Sequence, residues 1–85
     1  MKKQDEIYFW NRIITEVGLY GEKGKTPREI INEPGFPINY KRAWYLLEKW
    51  TTYNIYEYGV SLDLGWVTPE GIKNTQQARP PEVKL

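Results

Sequence analysis

The stretch "GEKGKT", residues 21–26, carries the residue types of a phosphate-binding loop. That loop requires Gly-x-x-x-x-Gly-Lys-Thr, so Gly24-Lys25-Thr26 would need a glycine at position 19. Leu19 stands there, and the preceding segment has helical rather than strand periodicity. The stretch is therefore read as a flexible loop ahead of a helix. Other chemistry is limited by composition, because the chain has no histidine and no cysteine. The commonest general bases, nucleophiles and transition-metal ligands are missing. Disulfides and thiolate metal sites are missing with them. Asp5 and Glu6 are adjacent at a helix start, and no second carboxylate pair is placed to converge on them. Neither an enzyme nor a bound cofactor or metal is expected.

Cations and aromatic rings remain. Lys23, Lys25, Arg28, Lys41, Arg42 and Lys49 lie in the middle of the chain, with Glu29, Glu33, Glu48 and Glu57 among them. The formal net charge of +1 does not mark a polybasic nucleic-acid binder. Four Trp, seven Tyr and two Phe are many for 85 residues. Each large ring buries about 150–250 Å², so a few could hold a small core together. Homodimerisation would be another source of stability. Tyr8, Tyr20, Phe36, Tyr45, Tyr53 and Tyr56 exceed what such a core can take in. The surplus would either half-cover the core or serve as interface hot spots.

The elements that position these groups follow from periodicity and caps. Ile7, Trp10, Ile14 and Val17 recur on one helical face, with Phe9 and Ile13 beside it, predicting helix 1 over 5–17 and a stop at Gly18. "LYGEKGK" is a loop with a short extended piece at Leu19-Tyr20. Thr26, Pro27 and Glu29 form a capping box that opens a short helix 2, with Ile30 and Ile31 inward. "NEPGFP" ends it. Asn39 then caps helix 3, from Tyr40 to about Trp50 or Thr52. Its inner stripe is Tyr40, Ala43, Trp44, Leu47 and Trp50, and Lys41, Arg42, Tyr45 and Lys49 lie opposite.

The period then becomes two. Tyr56, Tyr58, Val60, Leu62, Leu64 and Trp66 alternate with smaller or polar residues, predicting strands over 54–60 and 64–68 joined near Ser61–Asp63. Tyr58, Val60, Leu64 and Trp66 are expected to close over the helices. Thr68-Pro69-Glu70 would cap a last short helix. Residues 1–4 are read as frayed, 5–75 as the domain and 76–85 as an unstructured tail. No run reaches the length of a membrane span, and Met-Lys-Lys is not followed by an apolar signal core. The expected location is the cytoplasm, or the host cytoplasm if the chain is viral.

Two stretches carry a resemblance. "YKRAWYLLEKW", residues 40–50, resembles a recognition helix ending in a Leu-Glu-Lys step, and "GWVTPEG", residues 65–71, resembles the Leu-Thr-Pro-x-Gly exit from the wing of repressors of the multiple-antibiotic-resistance type. With the element order, the chain resembles a small α+β winged helix-turn-helix domain: three helices followed by a two-stranded β-hairpin wing. "TTYNIY" replaces the glycine and apolar pair that such domains usually carry after helix 3.

The resemblance implies a small DNA-binding transcriptional regulator with helix 3 in the major groove of double-stranded DNA. Asn39, Lys41, Arg42 and Tyr45 are the positions carried over, with Lys49 further along the helix. Arg and Asn are able to read base edges, and Lys and Tyr suit phosphates. Thr26 and Arg28 would meet the backbone, with help from Lys23 and Lys25. The wing tip of Ser61, Leu62 and Asp63 has no cation for a minor groove. The alternative is a protein-protein interaction module on the same scaffold, such as a virus-encoded regulator or inhibitor of a host protein, with Leu62 as a contact. Stacking of single-stranded nucleic acid on Tyr56 and Tyr58 is a third option, set below core packing because both share a strand face with Val60.

Overall fold

Helix α1 spans Lys3–Arg12 and runs on into a π-helical turn, Ile13–Val17. It starts two residues ahead of the predicted Asp5, so Lys3 and Gln4 are helical. The computed structural model describes residues 3–75. The tail assigned to 76–85 lies outside the described residues. Phe9, Trp10, Ile13, Ile14 and Val17 are buried, whereas Ile7 is only half-buried. Ile13, Ile14 and Val17 of the π turn, with its i→i+5 spacing, continue the buried face begun by Phe9 and Trp10. Gly18 ends the helix at φ +78°, a conformation that glycine takes without steric penalty, and its N–H bonds the Ile13 carbonyl at 3.0 Å.

Helix α2 (Pro27–Ile31) opens on the predicted capping box. Thr26 Oγ1 accepts the Glu29 N–H at 3.2 Å, and Glu29 Oε1 accepts the Thr26 N–H at 2.8 Å. Helix α3 (Tyr40–Thr52) is capped by Asn39, whose Oδ1 accepts the Arg42 N–H at 2.8 Å. Its buried residues are Ala43, Leu46, Leu47 and Trp50. Tyr40 and Trp44 were expected in that stripe, but Tyr40 is 55% exposed and Trp44 half-buried. Leu46 takes their place, because the core contact of α3 is centred on its second half. There Trp50 meets Trp10 at 4.9 Å and Phe9 at 5.4 Å between ring centroids.

The sheet is small. Strand β1 (Tyr56–Glu57) pairs antiparallel with β2 (Trp66–Val67), with Tyr56 opposite Val67 and Glu57 opposite Trp66. Leu19 adds a parallel bridge to Val67, where the Tyr20 N–H reaches the Val67 carbonyl at 3.0 Å. The extended piece expected at Leu19-Tyr20 is thus reduced to Leu19, because Tyr20 already turns the chain at φ +55°.

The strands are far shorter than predicted, and the alternation fails between them. Tyr58 is exposed and Val60 is 93% exposed, while Leu62 and Asp63 are buried in a 3₁₀ turn, Leu62–Leu64. Trp66 packs against the rim of the core, with its indole N–H on Glu57 at 2.9 Å. A period-2 pattern keeps its phase only while the chain stays extended. The turn at 62–64 resets that phase, so Val67, not Trp66, faces inward with Tyr56.

Helix α4 (Pro69–Thr75) begins at Thr68, whose Oγ1 accepts the Gly71 N–H at 3.0 Å and donates to the Asn54 carbonyl at 2.7 Å. Among the described residues the chain is therefore a small α+β arrangement of four helices and a two-stranded antiparallel sheet. Among the described residues no helix is long and apolar enough to cross a membrane.

Candidate nucleic-acid interface

The solvent face of α3 is set by its core face. With Ala43, Leu46, Leu47 and Trp50 buried, Lys41, Tyr45, Glu48 and Thr52 form the exposed line along the helix. Tyr40 flanks its start and lies 5.7 Å from Trp44 between ring centroids. Arg42 lies on the other flank, its guanidinium 5.1 Å above the Tyr45 ring, within cation–π range. Arg42 Nε and Trp44 Nε1 are shut off from solvent without a hydrogen-bond partner among the described residues.

The cations named from the sequence divide into two groups. Lys49 Nζ lies 2.7 Å from Glu6 Oε2, tying α3 to α1, with both side chains mostly covered. Lys25 Nζ lies 3.1 Å from both Glu16 and Glu33. Arg12 joins the same carboxylates: it pairs with Glu16 through Nε and reaches Glu33 through Nη2 at 2.5 Å. This cluster draws the Glu16 carboxyl down to about 2, chiefly through the Arg12 hydrogen bond. Glu33 is lowered for the same reason. Arg28 meets Asp63 through two hydrogen bonds, Nε to Oδ2 at 2.9 Å and Nη2 to Oδ1 at 3.1 Å. That pairing holds the Asp63 carboxyl below its ordinary range. In contrast, Lys23, Lys41 and Arg42 have no carboxylate partner among the described residues.

Several expected roles are therefore redistributed. Thr26 Oγ1 and Asn39 Oδ1 are occupied by helix caps. Lys49 serves the α1–α3 junction. Lys41, Arg42 and Tyr45 share the first turns of α3, and the 62–64 turn that carries Asp63, the partner of Arg28, packs on both α2 and α3. The acidic residues feared as diluents are also accounted for. Glu29 caps α2, Glu33 sits in the Arg12 cluster and Glu57 accepts the Trp66 indole. Only Glu48 shares the exposed line of α3. A shallow groove of about 410 Å³ beside it, lined by Tyr45, Glu48, Lys49, Thr52 and Tyr53, carries no unpaired cation and offers an anion little.

Leu62 was a candidate protein contact at the wing tip, but it is buried, and Tyr58 and Val60 occupy the outside of the loop. The fully buried Tyr56 has no face left for a stacked base. The sequence reading missed Tyr40 as an outward residue and missed the Arg28–Asp63 pair. The first was legible in principle, since the first helical position often leans away from the core. No family model, curated protein or solved structure matches the chain.

Proposed function

We propose that the chain is a small winged-helix domain that binds double-stranded DNA and acts as a transcriptional regulator. The N-terminal half of α3 would enter the major groove, where the first residues of a recognition helix meet base edges. One observation carries this reading: the cations left without carboxylate partners on α3, Lys41 and Arg42, gather at its start. Tyr40 and Tyr45 flank them, each more than half exposed. Arg28 supplies a further guanidinium from α2. The hairpin following α3, with Leu19 bridged to its second strand, supports the winged-helix assignment.

About three phosphate contacts would give a salt dependence of log K on log salt of about −3. Such binding is weak for a monomer, and a homodimer would double the footprint. The test is binding to random-sequence duplex over a salt series, with sedimentation at several concentrations to count subunits. The double variant Lys41→Glu/Arg42→Glu should lose binding while keeping its fold. Retention equal to that of the parent chain would sink the reading.

A second reading, a protein-interaction module, is favoured by one observation. Val60 is 93% exposed next to an exposed Tyr58, an apolar tip with no role in the core. A stoichiometric partner held from nuclease-treated lysate, and lost on Val60→Asp, would favour it. No such partner would count against it.

A further inference from the structure

We propose that Asp63 is a positioning residue that presents the Arg28 guanidinium to a phosphate of duplex DNA; this rests on the DNA-binding reading above. The pair is asymmetric. The Asp63 side chain is 4% exposed and that of Arg28 is 51% exposed. The carboxylate is thus turned inward while its cation faces solvent.

The carboxylate itself is fixed. Its Oδ1 also accepts the Ser61 hydroxyl at 2.7 Å. The turn that carries it is held from below by Tyr56, whose hydroxyl donates to the Leu62 carbonyl at 2.5 Å and accepts the Gly65 N–H at 3.0 Å. The turn packs on both α2 and α3. A flexible side chain such as Arg loses much rotamer freedom when it binds an anion. Here that ordering is completed on folding.

The donor inventory fits. A guanidinium has five N–H donors, and Asp63 uses one on Nε and one on Nη2. Both Nη1 hydrogens and one on Nη2 remain for a second acceptor. Two oxygens of a phosphate match such a planar edge. The turn that holds Arg28 packs on α3 as well as on α2, so the pair sits at the junction with the helix assigned to the groove.

Charge alone predicts the opposite effect of removing Asp63, which makes the inference testable. Asp63→Asn adds one positive charge to the chain, and simple electrostatics would tighten DNA binding. Positioning predicts weaker binding in spite of that charge. The experiment is fluorescence anisotropy of the full chain on random-sequence duplex over a salt series, with thermal melting as the folding control. Asp63→Asn should weaken binding about tenfold and reduce the salt slope by about one. Arg28→Gln should do the same, and the double variant should be no worse than Arg28→Gln. Asp5→Asn adds the same charge on α1 and should leave binding equal or slightly tighter.

Equal or tighter binding by a folded Asp63→Asn, or weaker binding with an unchanged slope, overturns the inference and leaves the DNA reading standing. If Asp63→Asn does not fold, Arg28→Lys decides. It keeps the charge but loses the two-pronged pairing, and unchanged affinity overturns the inference. A parent chain that does not bind duplex at low salt overturns both readings together.

Discussion

The Tyr56 hydroxyl accepts the Gly65 backbone N–H at 3.0 Å, across the base of the loop between β1 and β2. It donates in turn to the Leu62 carbonyl at 2.5 Å. Gly65 must be glycine for this approach, because a Cβ there would lie 2.6 Å from the Tyr56 oxygen and closer still to the Glu57 carbonyl. One buried phenol thus replaces the strand ladder that the sequence pattern suggested, and it holds the turn that carries Asp63.

Tyr56→Phe should therefore cost more than a lost methyl-sized contact. It strands a buried N–H and a buried carbonyl, at about 1–3 kcal/mol. Urea denaturation would measure it. A loss below about 0.5 kcal/mol, within the range of ordinary surface changes, would mean that the hydroxyl does not hold the loop.

The same burial raises the Tyr56 phenol above its ordinary value of 10.0. The folded state keeps the neutral form, so this contribution to stability is complete below about pH 10 and is lost as pH rises toward the folded value. Phenolate absorbance during an alkaline titration should show a late step that coincides with loss of helical circular dichroism. Tyr56→Phe should remove that step. Complete ionisation of every tyrosine in the folded chain would contradict the burial.

Acid acts in the other direction on Glu16, Glu33 and Asp63, whose carboxyls are lowered by Arg12 or Arg28. A lowered carboxyl stabilises the fold above its unfolded value, near 4.5 for Glu16, and the contribution drains away as pH falls toward about 2. Tm should fall progressively between about pH 5 and pH 2. Arg12→Met should flatten that dependence. Because Glu16 and Glu33 keep about 30% of their surface in water, salt should screen part of the effect. A Tm that is level across this range would show the ion pairs to be inert.

Lys49 offers a check on the division of cations. Its side chain is 21% exposed and that of its partner Glu6 is 10% exposed. Lys49→Met leaves a mostly covered carboxylate unpaired and should cost about 1–3 kcal/mol, most of it recovered in a Glu6→Gln background. The salt slope of DNA binding should not change. A slope reduced by about one would return Lys49 to the interface.

The sequence by itself determined the features made by neighbours within a few residues. The Thr26–Glu29 capping box, the Asn39 cap, the stop at Gly18 and the Thr68 start of α4 all depend on hydrogen bonds spanning at most five residues. The side chain that makes such a bond carries its own positional information, and the surrounding fold has little power to move it. Alternation at 56–66 was legible too, but not its meaning. Whether a period-2 run stays extended depends on partners elsewhere, and here a buried hydroxyl bent the chain after Glu57. Tertiary structure alone decided the state of the charges. Arg28 and Asp63 are 35 residues apart in sequence, and Lys49 and Glu6 are 43 apart. Counting cations along a helix treats each as equally available to a ligand. Only folding brings the carboxylates within reach and so decides which cations are paired.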